Sequence, residues 1–206
     1  MNQRIVIINY GMGNLNSVKR KLARMGIHAL ISNLSSDISK ADKLILPGIG
    51  HFQKAVENIK KMQLWDTMNE SVLVEKTPIL GICLGMQLMA KHSEEGDVDG
   101  FGWFDAEVIK FRVKNFLTHK VPHTGWNQII KLKESPLMND IPDLSEFYFV
   151  HSYHFSSKNP TDILSETEYE YKFTSAVEKE NIYGVQYHPE KSHDIGEKLL
   201  KNFINL

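Results

Sequence analysis

Cysteine is nearly absent from this chain of 206 residues, which contains only Cys83. A single cysteine excludes an internal disulfide framework and predicts a reducing, cytoplasmic location. Neither sign of charge predominates: 24 Lys and Arg stand against 25 Asp and Glu, so the net charge is −1 with histidine neutral. This balance gives no electrostatic reason to expect nucleic acid or an anionic membrane as a partner.

Long apolar stretches are also missing. The apolar run after Arg4 is too short for a secretory signal. The longest apolar stretch, residues 78–90, is interrupted by Gln87 and is shorter than the ~18 residues that a membrane span needs. The length fits one large domain, and no repeat or linker is visible. We therefore expect a single globular domain over residues 1–206.

Strand-like and helix-like segments alternate over the first ninety residues. A β-branched run at residues 4–9 precedes apolar residues at helical spacing, and Gly26 is placed to end that helix. Further along, the apolar run at residues 78–82 ends at Cys83, and the sequence predicts a helix over residues 86–91 behind it. Such alternation predicts a parallel sheet covered by helices on both faces.

The second half of the chain has a different pattern. Its strand-like segments are residues 106–111, 126–132, 147–155, 173–178 and 182–188. Residues 179–181 predict a hairpin turn, so part of this half is expected to be antiparallel. The predicted fold class is α/β, with a mostly parallel central sheet flanked by helices and antiparallel strands in the C-terminal half.

Cys83 lies between Gly81 and Gly85 at the predicted strand-to-helix turn. This is the cysteine version of a nucleophile elbow, whose sharp turn requires small flanking residues. Backbone N–H groups at the start of the next helix, including that of Leu84, would favour a thiolate and could stabilise an oxyanion. A buried, inert cysteine is the alternative, and the residues around Cys83 leave both interpretations open.

A thiolate nucleophile needs an imidazole to share its proton and to protonate the leaving group. Among the nine histidines, His188 stands out because it ends an apolar strand and is followed by Pro189 and Glu190. In an extended chain, residues i and i+2 project to the same side, so Glu190 could orient the imidazole ring. A solvated strand end is the alternative. Cys83, His188 and Glu190 are thus a candidate catalytic triad.

Cofactor and metal sites are not indicated. The segment Gly11-Met12-Gly13 has Asn16 where a dinucleotide-binding loop would have its third glycine. His151 and His154 are predicted to face opposite sides of one strand, and one cysteine cannot supply a Cys/His cluster. We therefore expect neither a cofactor nor a metal.

Two segments, residues 81–87 (GICLGMQ) and 184–190 (GVQYHPE), resemble the class I (triad) glutamine amidotransferases. Further segments resemble the glutaminase subunits of imidazole glycerol phosphate synthase, in the same order along the chain: residues 9–15, 47–50, 122–127, 150–153 and 191–192. The resemblance thus spans residues 9–192, nearly the whole chain. It implies a flavodoxin-like class I glutamine amidotransferase fold.

The resemblance also implies roles for individual residues. Cys83 would attack the side-chain amide of L-glutamine, His188 would protonate the departing ammonia, and Glu190 would orient His188. The backbone of Leu84 and an amide at Gly48 or Ile49 would form the oxyanion hole. The implied glutamine-binding positions are Gly50, Gln87, Ser152 and Tyr153.

The resemblance further implies a partner, a (β/α)₈-barrel synthase that forms a heterodimer with this chain. The barrel would use the ammonia to make imidazole glycerol phosphate and aminoimidazole carboxamide ribotide in histidine biosynthesis. The positions expected to face it are Trp126, Asn127, Tyr148 and Lys191. A core position in the sheet is the alternative for Trp126.

Some residues depart from the family's pattern. Thr124 replaces a usual Met, Tyr187 replaces a usual Phe, and residues 101–107 (FGWFDAE) are closer to duplicated copies that accompany surface-polysaccharide gene sets. In those copies the ammonia serves amidation of a sugar, which is the alternative function. The intact triad argues against a non-catalytic module, and Gln87 with residues 150–153 argues against a peptidase.

Overall fold

A large mixed sheet dominates the fold. The protein is seen in a computed structural model that describes residues 3–115 and 117–206. The strands along the chain are β1 (Ile5–Ile8), β2 (Ala29–Ser32), β3 (Lys43–Gly48), β4 (Ile79–Cys83), β5 (His92–Ser93), β6 (Val98–Asp99), β7 (Ala106–Lys110), β8 (His123–Gln128), β9 (Ile130–Lys131), β10 (Glu146–His151), β11 (Tyr153–Ser157), β12 (Ile163–Tyr169), β13 (Tyr171–Lys179) and β14 (Ile182–Val185).

Most helices occur in the first half of the chain. They are α1 (Leu15–Arg24), α2 (Ser35–Ile38), α3 (Phe52–Lys61), α4 (Trp65–Asn69) with a π-helical continuation (Glu70–Val74), α5 (Leu84–Gln87) and α6 (His193–Asn205). Short 3₁₀ turns are Pro136–Met138, Pro160–Asp162 and Pro189–Lys191. In the described part of the chain, none of the helices has both the length and the apolar character that crossing a bilayer demands.

The central part of the sheet is parallel, in the order β2-β1-β3-β4-β14. Beyond β14 the sheet continues with antiparallel pairing through β13, β11 and β7, and β5 then lies parallel to β7. A separate antiparallel ribbon is formed by β8 and β10. The predicted α/β class, with a mostly parallel centre and antiparallel strands in the second half, is confirmed.

Both faces of the parallel region are buried, as the alternation of segments predicted. Side chains of β1 alternate between two cores: Ile5 and Ile7 pack in one, and Val6 and Ile8 pack in the other. The first core is closed by α1 and α6, and the second by α3. Each large aliphatic side chain buried in this way contributes about 1.5–3 kcal/mol. These two layers of helices hold the ends of the central strands in place.

The predicted helix over residues 86–91 is wrong in its bounds. Helix α5 covers only Leu84–Gln87, because the next carbonyls accept hydrogen bonds from a distant loop instead of from a following helical turn. Leu88 accepts from the N–H of Phe101 at 2.8 Å, and Ala90 accepts from that of Gly102 at 3.0 Å. Tertiary bonds therefore end the helix after one turn.

The antiparallel half is predicted in outline only. The expected hairpin at residues 179–181 is confirmed, since Lys179 pairs with Ile182 across the turn. The segment at residues 147–155 is two strands, separated at Ser152. Strand β12 was not predicted, because its alternating Ser165 and Thr167 are polar residues that the sheet nevertheless buries.

Two fully buried tyrosines differ in how their hydroxyl groups are satisfied. Tyr10 donates to the carbonyl oxygen of Pro47 at 2.8 Å. Tyr187, which stacks on Phe147 at 4.1 Å between ring centroids, has no hydrogen-bond partner for its hydroxyl among the described residues. Burial raises the pKa of both phenols, so both remain neutral. A buried hydroxyl without a partner costs about 1–3 kcal/mol.

We predict that Tyr187→Phe raises the free energy of unfolding by about 1 kcal/mol, because it removes a polar group that has lost its water. The matched variant Tyr10→Phe should lower the same quantity by about 1 kcal/mol, because it removes a satisfied hydrogen bond. Urea unfolding followed by circular dichroism measures both values. A similar loss of stability in the two variants would contradict this interpretation of Tyr187.

Candidate active site

Cys83 lies where the sequence predicted it, at the turn from strand β4 into helix α5. Its backbone adopts φ 55° and ψ −109°, a conformation that residues with a side chain rarely adopt. Strain of this kind persists only where the surrounding structure enforces it, and it is common at functional sites. The side chain is almost completely buried, at 6% exposure.

Close backbone packing explains the glycines that flank Cys83. A Cβ atom on Gly85 would lie 1.7 Å from the carbonyl oxygen of Leu46, and one on Gly81 would lie 2.7 Å from the carbonyl oxygen of Gly85. Any side chain at Gly85 would therefore push α5 away from strand β3. The glycines permit the tight turn that presents Cys83, as the sequence analysis inferred.

His188 and Glu190 form the predicted pair. Nδ1 of His188 lies 2.8 Å from Oε1 of Glu190, and both side chains are at most 2% exposed. The backbone of His188 is held from two sides, because its N–H donates to the carbonyl of Tyr148 and its carbonyl accepts from the hydroxyl of Ser192. The alternative of a solvated strand end is therefore excluded by the burial of the pair.

The Cys83 sulfur is near enough to His188 to raise the pKa of its imidazole, although Nε2 of His188 makes no hydrogen bond to the described residues. Burial alone lowers the pKa of His188, but the negative charge of the Cys83 sulfur and then the Glu190 carboxylate outweigh burial and raise that pKa to about 10. At neutral pH the imidazole therefore holds a proton. This is the protonation state that nucleophilic attack by the sulfur requires.

A cleft of about 260 Å³ opens at Cys83. It brings together most of the residues implied by the resemblance, namely Ile49, Gly50, Cys83, Leu84, Gln87, Ser152 and Tyr153. Gly48 lies beneath them, paired with Cys83 across strands β3 and β4. The cleft also includes residues for which the sequence predicted no role there: Glu95, Pro122, Val150 and His151.

Glu95 brings a carboxylate to the cleft. One of its oxygens accepts a hydrogen bond from the N–H of Phe52 at 2.8 Å, which fixes the side chain at the start of α3. In the sequence, Glu95 is one of several acidic residues of a glycine-containing surface segment. No spacing or motif distinguishes it there, so only the fold shows that this carboxylate faces the cleft.

The side-chain amide of Gln87 is already engaged within the protein. Its nitrogen donates to the carbonyl of Tyr153 at 2.9 Å and to Oε1 of Gln186 at 3.0 Å. Both amide hydrogens are thereby used, and only the carbonyl oxygen of Gln87 is left to meet a ligand. Gln87 thus supports the wall of the cleft as well as lining it.

Three of the four residues expected to face a partner form one cluster. Trp126 is 44% exposed and contacts Tyr148 edge-on at 6.1 Å, and the ammonium of Lys191 lies 5.4 Å from the Tyr148 ring. Trp126 therefore does not occupy the core. Asn127 points elsewhere and donates to the carbonyl of Glu168 at 2.9 Å. We call Trp126, Tyr148 and Lys191 the aromatic face.

Buried imidazoles lie beside the cleft, which His151 lines. His123 and His151 are hydrogen-bonded at 3.1 Å, and His151 and His154 pack against the same Phe111 ring. The expectation that His151 and His154 face opposite sides is therefore wrong, because the strand breaks at Ser152 between them. Among the described residues, no three His, Cys, Asp or Glu side chains are grouped as metal ligands would be.

Burial makes this cluster sensitive to acid. It lowers the pKa of His123 to about 4, with a smaller contribution from His119, and it lowers the pKa of His151 as well. An unfolded chain binds a proton at these histidines near pH 6.5, whereas the folded protein does not. The stability that neutral His123 contributes is therefore lost as the pH falls from 6.5 towards 4.

We predict that the free energy of unfolding falls by about 2 kcal/mol between pH 7 and pH 5 because of His123. His123→Gln should reduce this loss by about that amount, since glutamine does not titrate. Urea unfolding at several pH values provides the measurement, and His28→Gln, at an exposed position, is the matched control. An unchanged pH dependence in the His123 variant would contradict the prediction.

Solved structures with the same fold are glutamine amidotransferases and related assemblies. The chain is similar to a protein described as a glutamine amidotransferase, with a TM-score of 0.75 and 16% identity over 98% of this chain and 97% of that one. It is also similar to PurLQS from Thermotoga maritima, with a TM-score of 0.73 and 16% identity over 100% and 99% of the two chains. At this level of identity, the likeness establishes the fold alone.

The family is established by sequence. The family model for class I glutamine amidotransferases matches residues 6–206. The chain therefore belongs to the class I glutamine amidotransferases, and it is an enzyme of that class.

Curated relatives place the chain more narrowly within the family. It is 50% identical to imidazole glycerol phosphate synthase subunit HisH 2 of Methanococcus maripaludis, over 97% of this chain and 98% of the relative. It is 45% identical to subunit HisH 2 of Pseudomonas aeruginosa, over 98% and 99%. Subunit HisH 1 of Campylobacter jejuni is 44% identical, over 98% and 100%. The chain thus resembles HisH subunits over nearly its whole length.

Proposed function

We propose that this chain is the glutaminase subunit of an imidazole glycerol phosphate synthase. It hydrolyses L-glutamine to glutamate and ammonia and delivers the ammonia to a synthase partner in histidine biosynthesis. The observation that carries the proposal is the buried assembly of Cys83, His188 and Glu190 beside a cleft. The identity to HisH subunits of other organisms supports the choice of reaction and pathway.

In the first step, the Cys83 thiolate attacks the side-chain amide carbon of glutamine. A carbon–sulfur bond forms, and the electron pair of the carbonyl moves onto its oxygen. The N–H of Leu84, together with an amide of Gly48 or Ile49, stabilises this oxyanion. The intermediate collapses when the carbon–nitrogen bond breaks, and the nitrogen leaves as ammonia with the proton that His188 held.

In the second step, water releases the product. His188, now neutral, takes a proton from a water molecule that attacks the thioester carbon. The carbon–sulfur bond then breaks, the sulfur leaves as a thiolate, and glutamate is formed. Glu190 accepts a hydrogen bond from Nδ1 of His188 at 2.8 Å, so it keeps Nε2 directed at the reaction and stabilises the imidazolium.

The cleft supplies groups that suit an amino acid. The carboxylate of Glu95 and the free carbonyl oxygen of Gln87 are acceptors for the α-ammonium group of glutamine. Gly50, Ser152 and Tyr153 line the same cleft and complete the binding site. Because the amide of glutamine must reach Cys83 while its ammonium is held at Glu95, the cleft selects a side chain of defined length.

The aromatic face is the proposed docking surface for a (β/α)₈-barrel partner, with which the chain forms a heterodimer. Exposed Trp and Tyr are enriched in protein interfaces, and Trp126 and Tyr148 are in contact here. The backbone of Tyr148 also accepts the N–H of His188 at 2.9 Å. The proposed interface is thus adjacent to the triad, which suits transfer of ammonia without release into water.

We predict that Cys83→Ala lowers the rate of glutamine hydrolysis by at least about 10³-fold, because the nucleophile is removed. Synthesis of imidazole glycerol phosphate by the complex from added ammonia should be unchanged. Glutamate release and ammonia-dependent synthesis are measured separately on the purified complex.

The control variant is Leu73→Ala, at an exposed position away from the cleft, which should retain both activities. Glutamine hydrolysis that persists in the Cys83→Ala variant would contradict the proposal.

A second function is favoured by one segment of the chain. Residues 101–107 resemble copies of this subunit that supply ammonia for sugar amidation in surface-polysaccharide biosynthesis. Phe101 of this segment stacks between Trp65 and Trp103, with ring centroids 4.2 and 4.4 Å apart. Several relatives also carry numbered names, HisH 1 and HisH 2. In this alternative, Cys83, His188 and Glu190 keep their roles and the partner differs.

Complementation distinguishes the two pathways. We predict that the chain restores growth without histidine to a bacterium that lacks its own HisH subunit, when it is expressed together with its cognate barrel protein. The Cys83→Ala variant should fail in the same strain at low ammonium. Failure of the parent chain, although it hydrolyses glutamine and is well expressed, would favour sugar amidation.

A further inference from the structure

Gln186 has no role in the proposed mechanism, yet its side chain reaches the nucleophile. Nε2 of Gln186 lies 3.6 Å from Sγ of Cys83, within hydrogen-bonding distance for sulfur. The residue is completely buried and is not among the residues that line the cleft. Its contact with the sulfur therefore does not depend on a bound substrate.

A chain of hydrogen bonds fixes which end of the Gln186 amide faces the sulfur. The carbonyl oxygen of Tyr153 can only accept, so the Gln87 group that contacts it at 2.9 Å must be the nitrogen. The same nitrogen lies 3.0 Å from the Gln186 side chain, which must therefore present its oxygen to Gln87. The nitrogen of Gln186 is thus directed at Cys83.

The sulfur has a second contact, with a backbone carbonyl. The carbonyl oxygen of Val150 lies 3.9 Å from Sγ and can accept a hydrogen bond only from a thiol. An ionised sulfur loses that bond and becomes an acceptor, which the Gln186 N–H can satisfy. Of these two contacts, the one with Val150 favours the thiol and the shorter one with Gln186 favours the thiolate.

We propose that Gln186 is a catalytic residue that donates its side-chain N–H to the Cys83 sulfur and stabilises the sulfur as an anion, with Gln87 holding its amide in the required orientation. The inference rests on the proposed function, in which Cys83 is the nucleophile. The hydrogen bond weakens when the sulfur is acylated and carries no charge, and it forms again when the thioester breaks. Gln186 thus also stabilises the departing thiolate.

Several titratable groups lie near the same sulfur. His188 is the positive partner, His151 and Glu95 line the cleft, and Tyr10 lies close enough for Cys83 to raise its pKa further above the effect of burial. Tyr10 and His151 are neutral around pH 7. Gln186 therefore supplies a donor whose contribution does not vary with pH.

The test is the pH dependence of Cys83 alkylation by iodoacetamide, which reports on this residue alone because the chain has one cysteine. Gln186→Met removes the donor and preserves the volume. Gln186→Asn retains an amide but withdraws it from the sulfur. In both variants, we expect the alkylation midpoint to rise by about one pH unit. A shift of this size corresponds to the free energy of one hydrogen bond to a charged group.

Ser175→Ala is the matched control. Ser175 is fully buried, its carbonyl accepts the backbone N–H of Gln186, and its hydroxyl bonds to Ser165 and not to the sulfur. This variant should keep the parent midpoint. A midpoint within about 0.2 units of the parent in a folded Gln186 variant would overturn the proposal.

A measurement on the parent protein covers the case in which the Gln186 variants do not fold. The side-chain amide protons of Gln186, observed by ¹⁵N-edited NMR, should shift with the same midpoint as alkylation, and the shift should vanish in Cys83→Ala. Amide protons that do not respond to the ionisation of Cys83 would also overturn the proposal.

Alkylation needs neither glutamine nor a partner, so its outcome is independent of the proposed function. In a chain that hydrolyses glutamine, Gln186→Met should lower kcat about tenfold near neutral pH and leave KM unchanged, because Gln186 does not line the cleft. A chain that alkylates as expected but does not hydrolyse glutamine would overturn the proposed function and leave the thiolate contact intact.

Discussion

The parallel pairing of β4 with β14 is the contact on which the site depends. Val185 of β14 lies opposite Ile82 of β4, so the two strands end at the same edge of the sheet. Cys83 and Gln186, which are 103 positions apart, are thereby brought together, and His188 follows two residues later. Helices on both faces of the sheet bury the pair, and the backbone packing at Gly85 then sets the direction in which Cys83 turns.

A second connection joins this edge of the sheet to the outer ribbon of β8 and β10. The N–H of His188 donates to the carbonyl of Tyr148, and the hydroxyl of Ser192 contacts both the carbonyl of His188 and the N–H of Tyr148. The catalytic histidine of the proposed mechanism therefore shares its backbone hydrogen bonds with a strand that carries the aromatic face. Trp126 lies on β8, directly opposite Tyr148 of β10. A partner bound at Trp126 would therefore rest on the same two-stranded ribbon that holds the backbone of His188.

The sequence was sufficient to predict those features of the site that are determined by interactions between neighbouring residues. The glycines around Cys83 and the i, i+2 relation of His188 and Glu190 indicate geometry within a few residues, and both were predicted. The position of Glu95 and the end of helix α5 could not be predicted, because each depends on a hydrogen bond between residues far apart in the sequence. The N–H of Phe52 fixes the carboxylate of Glu95, and the N–H of Phe101 takes the carbonyl of Leu88 just after α5. Gln186 was predictable only in part. The i, i+2 relation places its side chain on the same side of the chain as that of His188. That this side faces the Cys83 sulfur follows only from the pairing of β14 with β4.

Burial imposes a severe condition on the charges of the site. Cys83, His188 and Glu190 are all nearly excluded from water, and an isolated charge in such surroundings would cost several kcal/mol. In the proposed mechanism, alternation of sign along the triad offsets most of this cost, because the imidazolium would lie between the thiolate and the carboxylate. The two anionic ends still need compensation. The proposed contact from the Gln186 N–H supplies it at the sulfur. At the other end, Oε2 of Glu190 has no hydrogen-bond partner among the described residues, and Arg20, Lys21 and Arg24 of α1 share a small cleft of about 140 Å³ with Glu190. The proposed mechanism thus requires a triad that is both dry and ionised, because attack on an amide by a thiolate demands that combination.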